Sequence, residues 1–271
     1  MSLRILHGDV VVDHVAADDR GLNYGDGLFE TILVHHGQPV WWREHWQRLE
    51  HGARVLGIVL PDEARVRREA DALMAAQARA VLKLVLTRGR GGRGYSTSSE
   101  PVPTTILSLH TAPEPAPAAI DLRWCETTLA IQPRLAGIKH LNRLENVLAR
   151  AEWRDPAIFE GLLRDSTGRV ISATAANLFV RIDGVWRTPA LDNCGIAGIA
   201  RGWLLDTLPG VDVTVMGRES IENAEALFLC NAVRGILPVG GLGAQRWRPD
   251  AATTDLRRRL AAAQPAFAFQ E

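Results

Sequence analysis

A chain of 271 residues is long enough for one large domain or two modest ones, and a hydrophobic share of 46% supplies material for real cores. Its 31 Lys+Arg balance 31 Asp+Glu, so no global field recruits nucleic acid or an anionic membrane. Cys125, Cys194 and Cys230 are odd in number, far apart and without CxxC spacing, which argues against a disulfide framework and against a zinc site.

In chain order, the opening "MSLRILHGDVVVDHV" reads as strand entry around a Gly turn, without the basic-then-apolar pattern of a targeting segment. No apolar run is long enough to span a bilayer, so a cytoplasmic protein is the expectation. "GLFETILVHHGQPVWW" predicts two strands around His36-Gly37-Gln38. "REHWQRLEHGARVLGI" then switches to helical spacing, with Trp46, Leu49, Ala53 and Leu56 on one stripe, and "DEARVRREADALMAAQA" predicts a second helix. "AVLKLVLTRG" and "PTTILSLHT" are strands, separated by the Gly- and Arg-rich "RGRGGRGYSTSSEP".

"APEPAPAA" alternates Pro with small residues and makes a stiff extended linker. The expected division is a first α/β domain over 1–111, a linker over 112–119 and a second domain over 120–271. The second half starts with the strand "IDLRWCET" and passes a loop holding Lys139 into a helix over "RLENVLARAEW". Strands follow at "FEGLLRD", "RVISA" and "ANLFVRI", then a helix at "AGIARGWLLDTL", a strand at "VDVTVM" and a short helix at "ESIENA". Strands "ALFLCN" and "GILPVGGLG" and a helix over "DAATTDLRRRLAAA" close the chain. The fold class expected is mixed α/β (α+β). The run Arg257 to Arg259 reads as a solvated helix face rather than an RNA patch.

Only two of the basic residues are lysines, Lys83 and Lys139. A chain that uses arginine for surface charge retains an amine where a guanidinium will not serve. A primary amine condenses with an aldehyde and an arginine does not. Lys83 alternates with leucines inside a strand and reads as structural, whereas Lys139 sits in a loop just before a helix. An aldehyde cofactor with a phosphate needs an anion site. "NCGIAGIARGW" offers small residues opening a helix, where backbone N–H groups and the positive helix end face an anion. Arg48, on the helix after the first hairpin, is a candidate for a second, charged contact.

The segments "RGLNYGDGLFETI", "EHWQRL", "LTRGRGGRGYS", "IKHLNRLENVLARAEW", "AANLF", "GIAGIARGW" and "LFLCNAVRGILPV" together resemble, in the same order, the fold-type IV pyridoxal-phosphate enzymes. That group contains branched-chain and D-amino-acid aminotransferases and 4-amino-4-deoxychorismate lyases, and "KHLNRLENVLAR" and "GGRGYS" look most like the bacterial lyases. The resemblance covers nearly the whole chain.

It implies a two-domain fold with pyridoxal 5′-phosphate in the interdomain cleft, a homodimer, a small-molecule substrate and no metal. By position, Lys139 would hold the cofactor aldehyde and shuttle the proton. Arg48 and the N–H groups of Ile199 and Ala200 would bind the phosphate, with the Asn231-Ala232 turn beside them. Tyr24, Arg90, Arg93, Tyr95 and His140 would line the substrate side, while Arg143 reads as structural. The activity implied is elimination of pyruvate from aminodeoxychorismate to give 4-aminobenzoate, in folate biosynthesis. The rivals are an aminotransferase and a cofactor-binding protein without turnover.

One position departs. The family places a Glu five residues before the Asn of Asn-Leu-Phe, facing the pyridine nitrogen. Here Asn177-Leu178-Phe179 is preceded by Ser172. A hydroxyl can hydrogen-bond that nitrogen but favours its neutral form, which stabilises a carbanion less. That loss is expected to weaken transamination more than an elimination that ends in an aromatic ring. Ser172 as an ordinary strand residue, with Thr174 or a water in its place, is the alternative.

Overall fold

The computed structural model describes residues 2–248 and 250–269. It is a mixed α/β protein that divides into two compact units. One comprises 1–113 with 138–142, and the other 114–137 with 143–271.

The first unit contains β1 (Leu3–His7), β2 (Val10–Val12), α1 (Arg20–Tyr24), β3 (Gly27–His35), β4 (Gln38–Pro39), α2 (Trp42–Leu56), α3 (Glu63–Met74), β5 (Arg79–Thr87) and β6 (Thr104–Thr111). The strands form one antiparallel sheet in the order β2-β1-β6-β5-β3-β4. Period-two alternation sorts its faces. Leu28, Glu30 and Ile32 of β3 lie opposite Leu86, Leu84 and Leu82 of β5, and all six are buried. This is the face that α2 covers. A Cβ at Gly52 of α2 would sit 2.8 Å from Leu28, so glycine is what allows the close approach. Phe29, Thr31, Lys83 and Val85 point to the other face and keep some exposure.

The expected hairpin at 36–38 is present, with φ of 49° at His36 and 74° at Gly37, the twist that suits two antiparallel strands. α2 ends at Gly57, where φ is 66° and Ile58 N–H reaches back to the Ala53 carbonyl. The buried stripe of α2 is His45, Leu49, Gly52 and Ala53, with Trp46 and Leu56 half-buried at its edge. A histidine buried in an apolar stripe needs a polar partner, and Glu30 of β3, on the face that α2 covers, is that partner.

The second unit contains β7 (Ile120–Leu129), α4 (Leu144–Arg150), β8 (Ile158–Asp165), β9 (Val170–Ala173), β10 (Asn177–Ile182), β11 (Val185–Pro189), α5 (Ile199–Thr207), β12 (Asp212–Thr214), α6 (Arg218–Glu222), β13 (Ala226–Asn231), β14 (Gly235–Leu242), β15 (Gln245–Arg246) and α7 (Ala251–Ala263). The sheet order is β12-β11-β10-β13-β14-β7-β8-β9, with β15 on β14. It is mixed: β7 runs parallel to both β14 and β8. Its main core gathers Leu122, Leu162, Leu178, Leu229 and Leu237, and Phe179 stacks on its cross-strand partner Phe228 at 5.0 Å.

Three local expectations change. The helix over "RLENVLARAEW" stops at Arg150, because Trp153 turns into the core and donates to the Ile158 carbonyl at 2.9 Å. β11 and β15, too short or too polar to announce themselves, are strands through pairing with β10 and β14. The segment 138–142, which the sequence places in the second domain, belongs to the first unit. It runs antiparallel beside the start of β3. Phe29 N–H donates to the Lys139 carbonyl at 3.0 Å, Leu141 N–H donates to the Gly27 carbonyl at 2.9 Å, and His140 pairs with Leu28. Two ladder bonds outweigh proximity in sequence.

Candidate active site

In the first unit, the pairing of 138–142 with β3 fixes the backbone of Lys139. Its Nζ then stands 4.1 Å from the centre of the Phe29 ring. Lys139 is half-buried and His140 is buried. Lys83, opposite Thr31, is exposed, and its Nζ lies 5.7 Å from the same ring. The only two lysines of the chain therefore flank one aromatic side chain. The alternation that made Lys83 look structural places it on the open face of the sheet. Its rarity was the signal that could have marked it.

On the opposite face of β3, Glu30 explains the buried His45. The Glu30 carboxylate accepts from Arg48 Nε at 2.9 Å and from His45 Nδ1 at 2.6 Å, and Arg48 Nη2 also bonds it. Burial alone would push the Glu30 carboxyl up. The Arg48 charge and the bonds from Arg48 and His45 outweigh it and hold the carboxyl down to about 2. Burial pushes His45 down despite Glu30, so the ring is neutral at pH 7 with its proton on Nδ1, facing the carboxylate. His45 Nε2 has no partner among the described residues. The result is a guanidinium on α2 whose direction is set from behind by a buried carboxylate. Neither Glu30 nor His45 was singled out from the sequence, since a Glu in a strand and a His in a helix carry no pattern.

The Gly- and Arg-rich segment also lies in this unit. Arg90 pairs with Asp18 at 2.9 Å on the surface, whereas Arg93 is exposed and has no partner among the described residues. Tyr95 is 87% exposed, and its ring lies 5.7 Å from that of Tyr24.

In the second unit, Ser172 lies buried in β9 opposite Leu163. Thr174, the alternative to it, is committed elsewhere. Its hydroxyl donates to Glu160, which also takes the Ala175 N–H at 2.8 Å. Burial pushes the Glu160 carboxyl up. Asn177 pins the entry to α5: its Nδ2 donates to the Ile196 carbonyl at 2.9 Å, and its Oδ1 accepts the Gly198 N–H at 3.1 Å. Gly198 is the cap of α5 and brings no side chain to the first N–H groups, those of Ile199 and Ala200. A Cβ at Gly198 would fall 2.1 Å from Asn177 Oδ1, so the pin requires glycine.

Asn231 accepts the N–H groups of Val233 and Arg234 at 3.0 and 2.8 Å and donates to the Ala175 carbonyl. Its side chain builds the turn that carries Ala232. Arg143 is the N-cap of α4, and burial pushes its guanidinium down.

The chain belongs to the amino-transferase class IV family, whose model matches residues 27–242. It is 36% identical over 91% of its length, and 94% of the relative's, to an aminodeoxychorismate lyase of Vibrio harveyi. The crystal structure of 4-amino-4-deoxychorismate lyase from Pseudomonas aeruginosa shares 40% identity at a TM-score of 0.90, covering 96% of this chain and 99% of that one. A PLP-bound hypothetical aminotransferase from Mycobacterium tuberculosis, at 18% identity and a TM-score of 0.80 over 96% of this chain and 98% of that one, shares the fold. The chain's groups fit pyridoxal phosphate. Taken unit by unit, the first carries an amine of the kind that takes up an aldehyde and a carboxylate-oriented guanidinium, and the second a glycine-capped helix end of the kind that suits a phosphate.

Proposed function

We propose that this chain is a pyridoxal-phosphate-dependent 4-amino-4-deoxychorismate lyase, which removes pyruvate and leaves 4-aminobenzoate for folate biosynthesis. The observation that carries the reading is the Lys139 amine, held by two backbone bonds over the Phe29 ring in a chain so similar to two such lyases. Bound pyridoxal phosphate supplies an aldehyde that takes up amines and a ring that withdraws electrons.

The chain's own residues supply the rest. Lys139 Nζ retains the cofactor between turnovers. With substrate bound, the free Lys139 amine would take the proton from the amine-bearing ring carbon. The C–O bond at the neighbouring carbon breaks, the ring becomes aromatic, and the enolate released takes one proton to become pyruvate. Arg48, directed by Glu30, and the N–H groups of Ile199 and Ala200 hold the phosphate. Tyr24, Tyr95, His140, Arg90 and Arg93 serve the substrate side. Arg93, exposed and without a partner among the described residues, is a cation available for a carboxylate. Ser172 gives a hydroxyl to the ring nitrogen and no charge, which suits elimination better than transamination.

The active form we propose is a cytoplasmic homodimer. Leu144, Val147 and Leu148 leave an apolar stripe on α4 at 70%, 60% and 55% exposure, which a second copy would cover. The three free, buried cysteines suit a reducing compartment.

The test is to supply freshly made aminodeoxychorismate to the cofactor-loaded protein and to quantify pyruvate and 4-aminobenzoate over a blank. Equal amounts of the two establish the lyase. Loss of the cofactor's yellow colour with an amino acid, restored by a keto acid, would establish an aminotransferase instead.

A further inference from the structure

We propose that Arg20 is a positioning residue that sets the conformation of segment 91–96 and so places Arg93 and Tyr95. The part those two play toward substrate rests on the function proposed above.

By composition, "RGGRGYS" is a mobile connection. In the structure it wraps a guanidinium. Arg20 is only 4% exposed, beneath a segment that is itself exposed. Its Nη1 donates to the carbonyls of Gly94 at 3.1 Å and Ser96 at 3.2 Å, and its Nη2 donates to that of Tyr95 at 3.2 Å. Three consecutive carbonyls thus close around one side chain. Tyr24 adds a second tie. Arg20 lies 4.8 Å over its ring, and its hydroxyl accepts the Gly94 N–H at 3.1 Å. Gly91 packs against the Arg20 stem, where a Cβ would come within 2.7 Å of Cδ.

Arg20 is itself anchored. Its Nε donates to Asp26 at 2.9 Å, and Arg88 grips the same carboxylate at 2.7 and 3.1 Å while also bonding the carbonyls of Leu56 and Gly57 at the end of α2. The helix that carries Arg20 is fixed by Asp19, which accepts the Thr87 hydroxyl at 2.9 Å and the Gly21 N–H at 2.8 Å.

A buried guanidinium needs acceptors. Opening segment 91–96 would strip three carbonyl acceptors from a guanidinium that Asp26 still holds in place, leaving water alone to replace them, so the contacts the segment makes to Arg20 favour the closed conformation. A planar fork can serve Asp26 on one edge and carbonyls on the other, and a lysine amine cannot. Arg90 takes no part, being held by Asp18.

The experiment is limited trypsin digestion under native conditions, reading cleavage after Arg93 by mass spectrometry. Wild type is compared with Arg20→Met, in which Arg88 still holds Asp26, and with Tyr24→Phe, which deletes one bond and leaves Arg20 intact. Cleavage at that bond is expected to rise about tenfold in Arg20→Met and about twofold in Tyr24→Phe, with sites outside 90–96 unchanged. In the lyase assay, KM of Arg20→Met is expected to rise roughly fivefold with kcat within about twofold.

Cleavage after Arg93 no faster in Arg20→Met than in wild type overturns the proposal. If Arg20→Met is cut faster everywhere, Tyr24→Phe decides, and an unchanged rate there overturns it as well. Arg93→Ala separates the two readings. An unchanged KM in that variant removes the substrate role of the segment, while the digestion still judges the clamp.

Discussion

Replacing Glu30 by Gln isolates the carboxylate that directs Arg48. The side chain keeps its shape and loses its charge, and its amide NH2 must face either the guanidinium or the His45 N–H. Removing one partner of a buried ion pair costs about 3–5 kcal/mol, because the other charge stays buried. A second route gives a similar size. The Glu30 carboxyl is held down to about 2 from an ordinary 4.5. At about 1.4 kcal/mol per unit, that difference is worth about 3 kcal/mol.

The sign follows from proton uptake. As pH falls the unfolded chain protonates Glu30 first, so its contribution is complete above about pH 4.5 and is lost on the way down to about pH 2. His45, pushed below its ordinary value by burial, is also protonated first in the unfolded chain, and adds to acid sensitivity below about pH 6.5. Urea unfolding of wild type and Glu30→Gln at two pH values measures this. The variant is expected to be about 3 kcal/mol less stable at pH 7 and only about 1 kcal/mol less stable at pH 3. A gap under about 1 kcal/mol at pH 7, or an equal gap at both pH values, would refute the coupling of Glu30 to Arg48 and His45.

Lys139→Arg is expected to retain no cofactor after borohydride reduction while its thermal midpoint stays within a few degrees of wild type; as much trapped cofactor as wild type would remove Lys139 from its role. Asn177→Ala frees the entry to α5, and fluorescence titration is expected to show about tenfold weaker binding of pyridoxal phosphate with pyridoxal unaffected; equal losses for both would mean that the pin does not serve a phosphate. Ser172→Glu buries a carboxyl on β9 and is expected to cost the cofactor-free protein about 1–3 kcal/mol in urea at pH 7 and to increase the amino-acid half-reaction, read as bleaching of the loaded protein; an unchanged half-reaction would separate residue 172 from the ring.

Much of this protein is legible in local pattern. Period two in "GLFETILV" and "AVLKLVLT" and period 3.6 in the stripe around Leu49 and Ala53 specify β3, β5 and α2, because alternation and helical spacing leave one apolar face to bury. The scarcity of lysine marks Lys139 from composition alone. Elements without such a pattern were not legible. β11 is a strand because β10 and β12 flank it, and the helix before Trp153 ends because that indole has a place in the core.

What the sequence by itself determined is therefore the strongly patterned elements, the mixed α/β class and the residue types able to do chemistry. Only the tertiary structure decided how those residues are held. It drew 138–142 beside β3 and set Lys139 and Lys83 on either side of Phe29. It buried His45 against Glu30 behind Arg48, and closed a Gly-rich segment over Arg20. Each of these joins residues remote in sequence through hydrogen bonds and charges whose strength depends on burial, and burial is a property of the folded chain rather than of any stretch of it.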